Sequence, residues 1–251
     1  MRSLFFIGAL TAFLAEPVAA ETVLITGASR GLGLELTRQY AADGWNVIAT
    51  ARSPDDDADL LALAAEHENI RIETLDVTDH AEIEALASAL AATPIDVLIN
   101  NAGVLGDPGV QRLANLDFSS ADVLFETNAL GPLKVATAFL DNVAASPTKK
   151  IITISSIVGS MANTNGNIYF YRASKSAVNM LMRTLAMDTK DRGLIIGLIH
   201  PGVVDTDMSA PFDIPKVAVE DSAAGVRSVV AWYTAETSGE FMQYTGAPMA
   251  W

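Results

Sequence analysis

The chain has 251 residues, 50% of them hydrophobic and 18% charged, with a formal net charge of −14 and no cysteine. That length and apolar content suffice for one large domain with its own core. The acidity argues against nucleic acid or anionic membrane as a partner, and the missing thiols exclude disulfides and Cys-ligated metals.

The first twenty residues differ from the rest. Arg2 is their one basic residue, a short apolar run follows, and the segment ends Pro17-Val18-Ala19-Ala20. A cut after Ala20 fits a secretory signal peptide, and the run is too short to read as a spanning helix. The alternative is an apolar N-terminal helix packed on, or anchoring, the domain. The expected division is therefore a signal segment over 1–20 and one domain over 21–251. The product is exported or periplasmic if the segment is cleaved, and cytoplasmic if it is not.

From residue 22 onward, runs of strand character alternate with runs of helical spacing. Strands are expected at 22–26, 46–50, 71–75, 95–99, 150–154, 194–199 and 241–244. Helices are expected at 31–42, 57–66, 79–92, 118–143, 167–190 and 219–234. This alternation predicts an α/β fold: a single doubly wound, Rossmann-like domain, with a mostly parallel seven-stranded sheet and helices on both faces. No linker or repeat interrupts it. Acidic runs such as Asp55 to Asp59 fit solvated faces. His67, His80 and His200 lie far apart without ligand spacing, so no metal site is expected. The one long irregular stretch, Pro201 to Lys216, is either a lid over a site at a strand end or a plain surface connection.

The first strand, Val23 to Ile25, runs into glycines at 27, 31 and 33. Leu32, then Leu34 or Leu36, and Tyr40 follow with helical spacing. Strand, glycine turn and helix start in that order make a dinucleotide-binding unit. Missing Cβ atoms let the backbone approach a pyrophosphate, and the helix N-terminus offers free N–H groups. The spacing is G-x-x-x-G-x-G rather than G-x-G-x-x-G.

Further on, Ser155 and Ser156 close a strand-like run, and Tyr171 follows fifteen residues after Ser156, with Lys175 one helical turn beyond. A phenol has an ordinary pKa of about 10, and an ammonium on the same helix face favours its ionised form. The expectation is a Lys-lowered tyrosine that exchanges a proton with an alcohol or carbonyl oxygen, which a serine also holds. Tyr169 lacks such a partner, because Ala173 stands four residues on. There is no G-x-S-x-G elbow, which argues against a serine hydrolase.

These segments together resemble the short-chain dehydrogenase/reductase family. The resemblance rests on Thr26-Gly27-Ala28-Ser29-Arg30-Gly31-Leu32-Gly33, Leu75-Asp76-Val77, Asn100-Asn101-Ala102-Gly103, Asn128, Ser155-Ser156, Tyr171 to Lys175, and His200-Pro201-Gly202 to Thr206. It covers about residues 22–251. Within the family, the Ser155–Lys175 segment and the C-terminal Tyr244–Trp251 look like sniffer-type carbonyl reductases and the C-factor-like proteins of bacteria. The resemblance implies roles for the matching positions. Tyr171 would be the general acid. Lys175 would lower its pKa and bind the nicotinamide ribose. Ser156, the second serine of the pair, would orient the carbonyl. Asn128 would hold a helix kink and a water of the proton relay. Gly27, Gly31 and Gly33 would line the pyrophosphate, with Ser29, Arg30 and Leu32 as further cofactor contacts. Asp76 and Val77 would flank the adenine, and Asn101, Ala102 and Gly103 its ribose. Pro201, Gly202 and Val204 would be further cofactor contacts, and Thr206 would meet the carboxamide. Blander roles stay open for two of these: Asp76 as a cap for the helix near Asp79, and Asn128 as a simple helix break.

Cofactor choice turns on the end of the second strand, where NAD-binding folds carry an acid. Here Ala51 stands there and Arg52 follows, with Arg30 nearby in the glycine turn. Two guanidinium groups suit a 2′-phosphate, so NADP(H) is expected over NAD(H), unless both arginines are merely solvated. The expected function is hydride transfer between that cofactor and a small carbonyl or alcohol substrate. Ile157, Val158, Met161 and Met208 would give the site an apolar lining. The family implies a homodimer or homotetramer. The alternative is an exported C-factor-like signalling or binding protein on the same fold. Export sits uneasily with a soluble nicotinamide cofactor. A folded, cofactor-loaded protein would call for a twin-arginine signal, and only Arg2 is present.

Overall fold

A computed structural model describes residues 20–251, so the expected signal segment, apart from Ala20, lies outside the described residues. Seven strands form one sheet in which every pairing is parallel. They are β1 (Thr22–Thr26), β2 (Asn46–Ala51), β3 (Ile70–Thr74), β4 (Val97–Asn100), β5 (Lys150–Ile154), β6 (Ile195–His200) and β7 (Phe241–Gln243). Their spatial order is β3-β2-β1-β4-β5-β6-β7. The order reverses between β1 and β4, and in such sheets the crevice beyond the strand ends at that point takes the ligand.

The strands are apolar on both faces, as a sheet covered by helices on both sides requires. Alternation along β1 shows the division. Val23 and Ile25 join a core with α1 (Gly31–Ala42), α2 (Ala58–Glu66) and α8 (Val219–Trp232), through Leu36, Leu60 and Val226. Leu24 points the other way, into a core with α3 (His80–Ala89), α5 (Gly131–Ala138) and α7 (Tyr169–Asp188), through Ile83, Val135 and Val178.

The single helix expected over 118–143 is not formed. A 3-10 turn at Phe118–Ser120 leads into α4 (Ala121–Phe125), a π turn (Glu126–Leu130), α5, and then α6 (Leu140–Ala144). Pro132 has no N–H to donate to the previous turn, which favours a break in the ladder just there. Side-chain bonds of Asn128 to the backbone of Val104 hold the widened turn. Two helix starts also move inward. Asp79 caps α3 by accepting from the N–H groups of Ala81 and Glu82, so the cap is Asp79 and not Asp76. Helix α7 begins at Tyr169 rather than 167, because Asn167 and Ile168 take positive φ.

Candidate active site

Strand β1 turns into α1 through a loop that folds against the segment following β4. Gly27 has φ +67°, and a Cβ there would lie 2.8 Å from the Ala102 Cα. A Cβ on Gly33 would lie 2.2 Å from the Gly27 carbonyl oxygen and 2.5 Å from the Asn101 amide nitrogen. Both glycines are thus demanded by the packing of the turn itself. Asn101 fastens the two segments by donating to the carbonyls of Thr26 and Gly27 at 3.0 and 2.9 Å. The Thr26 hydroxyl in return accepts from the N–H groups of Asn101 and Ala102. At the start of α1, Arg30 is extended and its side chain caps no helix N–H. The first-turn N–H groups therefore have no side-chain partner from Arg30 and suit an anion.

This turn borders one large cavity of about 1160 Å³ at the switch point. Its wall includes Gly27, Ser29, Arg30, Gly31, Leu32 and Gly33, and Arg52, Asp76 and Val77. Asn101, Ala102, Gly103, Ser156, Tyr171 and Lys175 line it as well, as do Pro201, Gly202, Val204 and Thr206. Of the catalytic and cofactor-binding residues expected at the site, Asn128 alone is not in the wall. It is fully buried, and its amide also donates to the Ser174 hydroxyl at 3.1 Å.

The two serines at the end of β5 part company. Ser155 turns inward and shares a 2.5 Å hydrogen bond with Asn179. Ser156 faces the Tyr171 hydroxyl. The ammonium of Lys175 is buried, donates to the Ile154 carbonyl at 3.0 Å, and lies 5.9 Å from the centroid of the Tyr171 ring. Desolvation pushes Lys175 down to about 8. It pushes the Tyr171 phenol up to about 12, with the Ser156 hydrogen bond pulling the other way. The expectation of a phenol lowered by its lysine is therefore corrected. Burial dominates, and the lysine's hydrogen bond goes to a backbone carbonyl. A phenol held protonated at neutral pH is a proton donor.

Also along the cavity, Ala51 closes β2 inside the protein and Arg52 is exposed beyond it, as is Arg30. Neither arginine has an ion-pair partner among the described residues. The Asp76 carboxylate is held by the Thr78 N–H and hydroxyl at 2.8 and 2.7 Å. Thr206 packs across the turn, its methyl 3.1 Å from where a Gly31 Cβ would stand. Among the described residues no group of acidic and histidine side chains could hold a metal ion. His200 is 5% exposed, borders the cavity, and is pushed by burial down to about 4.

Of the expected apolar lining, Ile157, Val158 and Met208 are in the wall, whereas Met161 is 72% exposed and outside it. Met161 belongs to the loop between β5 and α7, where apolar spacing carries no directional signal. Sequence reasoning passed over Leu105, Pro108, Ile168 and Phe212, which line the cavity. They sit on loops, and no period marks them. The stretch from Pro201 to Lys216 does border the cavity, through Met208, Pro211, Phe212 and Ile214.

The profile of the short chain dehydrogenase family matches residues 21–215. The C-signal protein of Myxococcus xanthus is 37% identical over 170 residues, which is 67% of this chain and all of that protein. The crystal structure of NADPH-bound carbonyl reductase from chicken fatty liver superposes with a TM-score of 0.85 at 32% identity, covering 93% of this chain and all of that one. Carbonyl reductase Sniffer of D. melanogaster does so with a TM-score of 0.84 at 28% identity, covering 92% and 100%.

Proposed function

The chain belongs to the short-chain dehydrogenase/reductase family and is an oxidoreductase, and on that premise we propose that it reduces a small carbonyl compound with NADPH. The observation that carries this reading is the meeting of Ser156, Tyr171 and Lys175 in the lining of a cavity that Arg30 and Arg52 also line. The cavity suits a dinucleotide. The glycine turn keeps backbone N–H groups open to a pyrophosphate, and two guanidinium groups without an ion-pair partner among the described residues stand in place of the acid that would select an unphosphorylated ribose. A similar structure holds NADPH, in agreement with that choice.

When bound, the cofactor supplies the hydride. The protein supplies the rest. Tyr171, kept protonated by burial, donates a proton to the carbonyl oxygen. Ser156, facing the same phenol, holds that oxygen by a hydrogen bond and orients it. Lys175 places a cation beside the phenol, where it favours the phenolate left by proton transfer, and its remaining donors are free for ribose hydroxyls. Asn128 holds the turn at Val104 and, through Ser174, the backbone of Tyr171. Ile157, Val158, Leu105 and Phe212 give the cavity an apolar lining, which favours a compact, apolar substrate. A signalling role on the model of C-signal finds no feature in this site that calls for it, and an intact proton-transfer set argues for turnover.

The test is NADPH-dependent reduction of a panel of aldehydes and ketones by the wild-type chain and by Tyr171→Phe. A fall of about 10²- to 10⁴-fold in kcat with unchanged NADPH affinity is expected. Equal rates in the two proteins would overturn the role given to Tyr171.

A further inference from the structure

The geometry points to Gln111 as a positioning residue for Tyr171, acting from the loop that walls the cavity. This deepens the reading of Tyr171 as the general acid and rests on it. Helix α7 starts under strain. Gly166, Asn167 and Ile168 have φ of +86°, +61° and +43°, and a β-branched residue at such an angle is an outlier that its surroundings must hold in place. Ile168 occupies the cap position and has no side-chain acceptor to offer the first-turn N–H groups. The third of those N–H groups belongs to Tyr171, the position a capping side chain ordinarily serves.

Gln111 serves it instead, from sixty residues away in the chain. Its side-chain oxygen accepts from the Tyr171 N–H at 2.8 Å. Its amide nitrogen donates to the carbonyls of Leu105 and Asp107 at 2.8 and 3.3 Å. The residue is fully buried in a short 3-10 turn, Pro108–Gln111, that Asp107 caps. The far end of Tyr171 is tied to the same loop. Its carbonyl accepts from the Ser174 hydroxyl at 2.9 Å, Ser174 accepts from Asn128, and Asn128 bonds both backbone groups of Val104. The backbone of Tyr171 is therefore pinned on both sides to residues 104–111. Leu105, Gly106 and Pro108 of that segment line the cavity. Displacing this wall moves the phenol, because Gln111, Asn128 and Ser174, which join them, are buried and hydrogen-bonded to both.

The test compares the full wild-type chain with Gln111→Met, which keeps the length and removes the acceptor, and Gln111→Glu, which keeps an acceptor oxygen. Amide hydrogen exchange at Tyr171 is read by NMR, and reduction of benzaldehyde is followed with the protein saturated with NADPH. Gln111→Met is expected to exchange the Tyr171 amide at least about tenfold faster while mid-helix amides such as Met182 stay slow. Its kcat per NADPH-binding site is expected to fall about 10- to 100-fold, with NADPH affinity within about twofold of wild type. Gln111→Glu is expected to recover most of the amide protection. Unchanged exchange in Gln111→Met overturns the cap. Faster exchange with an unchanged kcat overturns the positioning role, and so does a loss of rate that only tracks the folded fraction. Should the wild-type chain leave benzaldehyde untouched, or Tyr171→Phe reduce it as fast, the reading of Tyr171 fails and the positioning role falls with it. The exchange rates still decide the cap.

Discussion

Lys175 is the most costly charge in the described structure, and removing it should stabilise the protein without nucleotide. Its side chain is buried with one hydrogen bond, to the Ile154 carbonyl, and with no carboxylate paired to it among the described residues. Burial lowers it from 10.5 to about 8. At neutral pH that shift corresponds to about 3 kcal/mol of lost stability. Lys175→Met removes the charge and fills similar space, at the expense of about 1 kcal/mol for the lost hydrogen bond. The net gain is about 2 kcal/mol, or roughly 4–8 °C in Tm for a domain of this size. The sign with pH follows from the depressed value in the folded state. Between about 8 and 10.5 the unfolded chain holds the proton that the folded chain has released, so wild-type stability gains with rising pH through that window. The gap between the two proteins should therefore narrow from pH 7 to 9.5. Urea unfolding without nucleotide, at both pH values, measures it. A variant less stable than wild type at pH 7, or a gap independent of pH, would refute the reasoning.

Other residues give further outcomes. His200, held neutral by burial, has its folded value depressed to about 4, so its contribution to stability is lost as pH falls from about 6.5 toward 4. His200→Gln should flatten that acid limb by about 2 kcal/mol between pH 7 and pH 5, read from urea midpoints at those two values. Arg52→Asp should lower the NADPH-over-NADH preference at least about tenfold by removing a partner for the 2′-phosphate, as measured by fluorescence titration. An unchanged ratio would show that Arg52 is only a solvated side chain. Gly33→Ala should destabilise the chain by about 3 kcal/mol or more and abolish tight NADPH binding, since the new methyl meets the backbone of Gly27. Near-normal melting and affinity would mean that the turn is softer than its packing indicates.

The strands were legible because their apolar runs are short and sharply bounded, and each observed strand lies within two residues of its expected start. The residues around the cavity were legible through the family resemblance, which named the glycine turn, Asn101 to Gly103, and the Ser156, Tyr171 and Lys175 set. What stayed hidden depends on three-dimensional neighbours. The break at Glu126–Leu130 follows from a proline in sequence together with Asn128 reaching across to Val104. The different placement of Ser155 and Ser156 rests on Asn179, which holds Ser155 from a helix face that strand alternation says nothing about. The phenol's upward shift reflects how fully the site is shielded from water, whereas spacing reports only that a lysine is one turn away. Gln111 carried no signal at all, since a lone amide in a loop has no pattern that points to its partner sixty residues on.

The sheet order also governs how this chain must be assembled. Strand β1 pairs β2 after a short crossover, but its other neighbour is β4, and Val23 meets Val97 only once more than seventy further residues have been made. During synthesis β1 and β2 therefore emerge with one edge unsatisfied, and the central seam of the sheet closes late. Pairings this distant in sequence slow folding and leave apolar strand edges exposed meanwhile. The consequence is a refolding rate set by closure of the β1–β4 seam. Substitutions such as Ile25→Val or Ile99→Val at that seam should slow folding more than they speed unfolding.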